Sequence, residues 1–252
     1  MRSKHLLEYL QKKKSSNLQK ITDTKKLTSK YTCEYCNKSY SKESTLIAHM
    51  CEPKRRWLQK DEKRVQVGLY AFQRFYILSA GNKKEKSYEE FVKSSFYNAF
   101  VKFGSFVNNV RPLYPDKYID YVVTSNVKLD HWCREEMYEK YANELIRKEG
   151  VQTALERSID TMVKWAKENN SLYNNYFSGA STNRITWDIR DGKISPWLVL
   201  NCKTGKAALN NFNDEQLTML GTVLEPSHWA MRFKRNPRDV ELVKQVAKEA
   251  QL

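Results

Sequence analysis

Between positions 33 and 51 the chain reads Cys33-x2-Cys36-x12-His49-x-Cys51. Two thiolates two residues apart suit the turn of a β-hairpin, which aims both sulfurs at one ion. A helix after the hairpin supplies the remaining ligands and completes a tetrahedron. A segment this short has no apolar core of its own, so coordination is the source of its folding energy. The spacing therefore predicts a small module over residues 31–52 holding one Zn2+. The final pair is the irregular part. Two residues apart on a regular helix point away from each other. Pro53 disfavours helical geometry at Glu52, so the chain is expected to unwind after His49 and turn Cys51 back to the ion.

The charge of +15 is uneven. Residues 1–64 hold 17 Lys and Arg against 7 Asp and Glu, which is two thirds of the excess. A concentrated positive field suits a polyanion, because each neutralised phosphate releases a condensed counterion. The alternative is a solubilising tail. Residues 1–30 carry a short amphipathic stretch, His5–Leu10, followed by Lys-, Ser-, Asn- and Thr-rich sequence, and read as a basic flexible arm. Residues 53–64 read as a basic linker. No segment approaches the roughly 18 consecutive apolar residues of a membrane span. Five cysteines in this pattern do not form a disulfide framework, which points to a reducing cytoplasm and no membrane partner.

From Val65 the pattern becomes helical, and only 8 Gly and 6 Pro are present in 252 residues. The fold class expected is mainly α: a ββα module followed by a multi-helix domain, read in two parts, 65–170 and 171–252. Leu69, Phe72, Phe75 and Tyr76 recur at helical spacing in a helix closed by Gly81-Asn82. Ser87 is expected to cap one helix carrying Phe91, Phe96, Phe100, Phe103 and Phe106. The stretch Leu113–Val123 fits either a helix or a strand. Asp130 is expected to cap a helix with Trp132, Met137, Tyr141, Leu145 and Ile146 inward, ending at Gly150, and another helix runs from Val151 to about Lys167. Residues 169–183 read as a polar loop. The alternation at Ile185–Ile189 before Asp191-Gly192 suggests a minor hairpin over 185–194. Ser195-Pro196, Asn213-Asp214-Glu215, Pro226 and Pro237 each start a helix, and Trp197 and Trp229 pack together.

Other residues invite a chemical reading, and for each a structural one competes. His131 and Cys133 diverge on a helix. Cys202 and His228 stand alone. Asp188 and Asp191, or Glu135 and Glu136, could hold a nuclease metal, but match no spaced carboxylate-Lys motif. No Gly-rich phosphate loop is present. Arg232, Lys234, Arg235 and Arg238 form a second basic cluster that could extend a nucleic-acid surface or simply be solvated.

Residues 31–51 resemble the Cys2His2/Cys2HisCys zinc-finger family. Tyr40, Leu46 and His49 fall where that family places its aromatic and aliphatic core residues and its first histidine. The resemblance implies Cys33, Cys36, His49 and Cys51 as ligands of one zinc, the short His-x-Cys spacing being a departure from the family. The base-facing positions would be Lys42, Ser44, Thr45 and Ala48, which read sequence weakly. Phosphate contacts are expected from Lys38, Lys42, Lys54, Arg55 and Arg56, with Trp57 or Tyr40 for stacking. The same finger motif, the Lys/Asn/Tyr-rich composition and the Ile194-Ser-Pro-Trp segment are similar to accessory proteins of T4-like bacteriophages. That resemblance implies a host–virus role, a decoy of the host primary sigma factor included.

Three functions are compatible with the sequence. The first is nucleic-acid binding, DNA or RNA, through residues 1–64, with the helical domain making partner contacts. The second is an adaptor docking on a host polymerase or ribonuclease. The third is a nuclease or other DNA-processing enzyme tethered by its finger. The balance favours a non-enzymatic protein.

Overall fold

A computed structural model describes residues 31–252 apart from 80, 82 and 83. The expected basic arm 1–30, with its amphipathic stretch, and Asn82 lie outside the described residues. The chain forms two compact units. The first contains residues 31–62 and Tyr88–Ser94; the second contains Lys63–Ser87 and Ser95–Leu252.

In the first unit, strands β1 (Tyr31–Thr32) and β2 (Ser39–Tyr40) pair antiparallel, with Tyr31 opposite Tyr40. Helix α1 (Glu43–Ala48) follows, then α2 (Glu52–Leu58). The segment read as a linker thus carries a helix. Pro53 lies in its first turn, where its missing N–H costs no hydrogen bond. Helix α4 (Tyr88–Lys93) completes the unit.

Among the described residues of the second unit, every regular element is a helix or a 3-10 turn. The unit begins with α3 (Lys63–Leu78), which crosses α5 (Tyr97–Val110) and also meets α6 (Pro115–Thr124). The crossing depends on two glycines. A Cβ on Gly68 would lie 2.8 Å from the Phe100 carbonyl oxygen, and one on Gly104 would lie 2.1 Å from that of Arg64. Around this crossing Phe100 and Phe103 pack edge-on against Trp132, at ring separations of 5.7 and 5.2 Å. The segment Leu113–Val123, open between helix and strand in sequence, lies largely within α6 and buries Tyr118, Ile119, Val122 and Val123. Helices α7 (Glu135–Lys148) and α8 (Val151–Asn169) follow. The remaining short helices are α9 (Tyr176–Gly179), α10 (Thr182–Arg190), α11 (Pro196–Val199), α12 (Lys203–Leu209), α13 (Asp214–Leu220), α14 (Pro226–Arg235) and α15 (Pro237–Glu249). They share one core with α8, centred on Trp197 and Trp229, whose rings meet edge-on at 5.8 Å.

Mainly α is the fold, and the proline-marked starts are where the sequence placed them. Ser195 Oγ accepts from the Trp197 amide, and Asn213 forms a capping box with Gln216. Four local expectations are corrected. Residues 185–194 are not a hairpin: Ile185 and Ile189, four apart, are buried on one face of α10, while Trp187 between them is 45% exposed. A strand would put all three on one side. Ser181 caps this helix, accepting from the Arg184 amide. Residues 169–183 are not simply a loop, because Tyr176 and Phe177 are buried in α9. The Phe-rich stripe is not one helix. Phe91 and Phe96 are five apart, off the helical repeat, and the chain breaks between α4 and α5, leaving Phe96 exposed. Asp130 sits inside a short 3-10 turn, Leu129–His131, and Arg134 precedes α7.

Glycine to alanine in a helix interior ordinarily stabilises by up to ~1 kcal/mol. At Gly104 the sign should reverse, because the added methyl meets backbone. Gly104→Ala is expected to lose about 2 kcal/mol or more in urea unfolding; an unchanged or raised midpoint would refute the close crossing.

Candidate metal centre

The site is built by four local decisions of the chain. The Cys33 amide donates to the Lys38 carbonyl (2.9 Å) and the Asn37 amide to the Cys33 carbonyl (2.8 Å), closing the knuckle between the strands. Asn37 takes φ 58°, a left-handed conformation that asparagine adopts more readily than most residues. This sets Cys33 and Cys36 side by side. Helix α1 then carries Leu46 and His49 on its inner side, three residues apart, both half-buried. The helix stops at His49, which turns extended (φ −71°, ψ 117°), and Cys51 is extended as well (φ −79°, ψ 162°). The predicted unwinding after His49 occurs. Its local cause differs from expectation, since Glu52 is helical and Pro53 sits in the first turn of the next helix.

The result is a convergence of one ligand atom from each of Cys33, Cys36, His49 and Cys51, all within 4.8 Å of one another. Cys33 Sγ and Cys51 Sγ are 3.9 Å apart, and Cys36 Sγ lies 3.2 Å from His49 Nε2. A tetrahedral zinc with bonds of ~2.3 Å to sulfur and ~2.0 Å to nitrogen has edges of about 3.5–3.8 Å. The spacing fits one such ion with His49 bound through Nε2. Among the described residues this is the one group of three or more His, Cys, Asp or Glu side chains that could hold a metal.

Its electrostatics ask for a cation. Burial opposes ionisation of Cys33, but the amides of Tyr35 and Cys36 outweigh it and bring the thiol below its ordinary value. At Cys36 the amide of Lys38 favours the thiolate, yet burial and the sulfurs of Cys51 and Cys33 push the thiol up. Three sulfurs this close repel as thiolates, and a divalent ion removes that conflict. The Tyr40 phenol is raised by burial and then by the same sulfurs, and its ring lies 5.0 Å from that of His49.

The residues expected to touch nucleic acid separate into two sets. Lys38, Lys42 and Arg55 are exposed, as are Ser44, Thr45 and Ala48. Lys54 is half-buried and donates to the His49 carbonyl at 3.2 Å. Arg56 is turned inward: it pairs with Glu52 and donates to the carbonyls of Val92 (2.6 Å) and Ser94 (3.4 Å). Trp57 packs edge-on against Tyr88 at 5.1 Å and lies 6.5 Å from Tyr35. The sequence gives no hint of this use of Arg56 and Trp57, because the partner segment lies more than thirty residues downstream and carries no motif.

The other candidate residues take structural places. Asp188 is 1% exposed and accepts from the Tyr176 hydroxyl (2.8 Å), Arg184 Nε (2.6 Å) and Lys193 Nζ (3.3 Å). Asp191 also pairs with Lys193, and Glu135 with Arg190. Cys202 is buried, accepts from the Gly205 amide at 3.2 Å, and has its thiol pushed up by burial. His131 ends the 3-10 turn and Cys133 is half-buried, and neither joins a ligand group. Burial, then Arg147 and Arg232, hold His228 below its ordinary value. Arg232, from the second basic cluster, also turns inward: it donates to the carbonyls of Arg147 and Glu149, while Lys234, Arg235 and Arg238 are exposed.

The full chain should bind one equivalent of zinc per molecule. Cys51→Ser should weaken zinc binding by more than the ~10–100-fold lost when a supporting partner is removed. Cys133→Ser and Cys202→Ser should leave stoichiometry and affinity unchanged. Competition with a chromophoric chelator measures all three, and a Cys51→Ser protein with undiminished affinity would remove Cys51 from the ligand set.

No helix among the described residues is long and apolar enough to cross a membrane. No protein-family model, curated protein or solved structure matches the chain.

Proposed function

We propose that the protein is a zinc-finger nucleic-acid-binding accessory protein whose grip on phosphate comes chiefly from its first thirty residues. The supporting observation is where the charge falls once the finger is delimited. Residues 1–30 contain 9 Lys and Arg against 2 acidic residues, whereas residues 31–62 contain 6 against 5. The finger is nearly neutral, and Arg56 and Trp57 are engaged within its own unit. Lys38, Lys42 and Arg55 remain to add phosphate contacts. In this reading the metal centre gives the arm a folded base, and the helical unit contacts a partner. The bacteriophage setting rests on the resemblance of the finger motif and composition.

A second reading is favoured by one observation. Ile47, Met50 and Leu58 are 71%, 57% and 65% exposed. Apolar side chains on and beside the finger helices suit protein docking better than a phosphate backbone. This reading makes the protein an adaptor on a partner such as a host polymerase or ribonuclease.

The two readings part on salt. Duplex affinity of the full chain should fall with added salt, with a slope of about −0.9 per phosphate contact. Replacing Lys12, Lys13, Lys14, Lys25 and Lys26 by Gln should flatten that slope by several units, and single-stranded DNA and RNA titrations show which form is preferred. Absence of binding at low salt would refute the nucleic-acid reading and leave the adaptor.

A further inference from the structure

Cys51 has two positions at once. It supplies the fourth converging ligand atom, and it is the residue from which α2 starts, its carbonyl accepting from the Arg55 amide at 3.0 Å. Neither α1 nor α2 has a side-chain cap, neither buries a residue, and they are 6 and 7 residues long. Helices so short do not persist alone in water. The inner side of α2 nevertheless holds a remote segment. Arg56 reaches the carbonyls of Val92 and Ser94, the Tyr88 hydroxyl donates back to the Arg56 carbonyl at 2.6 Å, and Trp57 meets Tyr88. On the other side Trp57 approaches Tyr35, within the knuckle that carries Cys33 and Cys36.

We propose that the metal centre is the latch of a clamp: the ion, by fixing Cys51, sets the start of α2 and thereby holds residues 88–94 against it. This rests on the metal reading of Cys33, Cys36, His49 and Cys51. Loss of the ion frees Cys51, unwinds α2 and releases 88–94 together with the faces of Trp57 and Tyr88. Linkage makes the coupling reciprocal. If the ion tightens the clamp, the clamp tightens the ion by the same factor, although no clamp residue is a ligand.

The test uses the full chain and Co2+, whose visible absorption reports a tetrahedral thiolate site. Tyr88→Phe removes one hydrogen bond to the Arg56 carbonyl and keeps the ring; Arg56→Ala removes the contacts to Val92 and Ser94 together with the Glu52 pair. Each is expected to weaken Co2+ binding, Tyr88→Phe by about 3–10-fold and Arg56→Ala by more, with the absorption spectrum of the loaded site unchanged. Hydrogen exchange supplies the converse: chelation should raise amide exchange across residues 88–94 of the wild-type chain. Equal Co2+ affinity in wild type and both variants, or exchange at 88–94 indifferent to chelation, overturns the clamp and leaves the metal site standing. Failure of the wild-type chain to bind Co2+ overturns both.

Discussion

The convergence of Cys33, Cys36, His49 and Cys51 within 4.8 Å of one another, a group that could hold one metal ion, ties the two ends of residues 33–51 together and is the constraint on which the account of the amino-terminal unit depends. Within residues 31–62 themselves, little apolar burial holds the chain in place. Among residues 31–62 only Cys33 is buried, and the helices are too short to be stable alone. The folding energy of such a module is the binding energy of its ion. The short His-x-Cys spacing has a structural consequence beyond closing the tetrahedron. Because Cys51 comes so soon after His49, the candidate ligand set includes the residue that immediately precedes α2, which is what the proposed clamp uses. A ligand farther along the finger helix would leave the next segment unconstrained.

The second unit solves a different problem. It has ample apolar surface, and specificity comes from where the backbones can meet. Gly68 and Gly104 let α3 and α5 approach to a distance that no side chain would permit. Around that crossing the aromatic rings of Phe100, Phe103 and Trp132 interlock. Farther along, charge is used internally. Asp188 gathers Tyr176, Arg184 and Lys193, and Glu149 gathers Arg157 and Ser195. Burial and then the Asp188 carboxylate push the Tyr176 phenol up, which keeps it a hydrogen-bond donor. Groups that resemble catalytic acids by residue type are here the satisfied polar centres of a packed helical core.

How much of the molecule is legible in the sequence depends on the range of the physics involved. Ligand spacing is local, so Cys33, Cys36, His49 and Cys51 stand out as a set. Helix starts at Ser195-Pro196, Asn213, Pro226 and Pro237 are legible because a cap and a proline act within one turn. The hairpin expected at 185–194 rests on a short alternation, and only burial distinguishes Ile185 and Ile189 on a helix face from three residues on a strand face. The buried Tyr176 and Phe177 are hidden in a polar segment because the partners of Tyr176, Trp165 and Asp188 among them, lie in other elements. Arg56 and Trp57 read as surface groups for the same reason: their partners, Tyr88 to Ser94, are distant in sequence.

For function, the proposed grip on phosphate rests on the charge of residues 1–30, which outweighs that of residues 31–62, and the proposal gives the finger an organising part rather than a base-reading one. The most direct measurement is X-ray absorption at the zinc edge of the purified 252-residue chain. The account predicts three sulfurs at about 2.3 Å and one imidazole nitrogen at about 2.0–2.1 Å. A shell with two sulfurs or fewer, or one dominated by oxygen, would contradict it, because Cys51 would then not be a ligand and α2 would lose its connection to the ion.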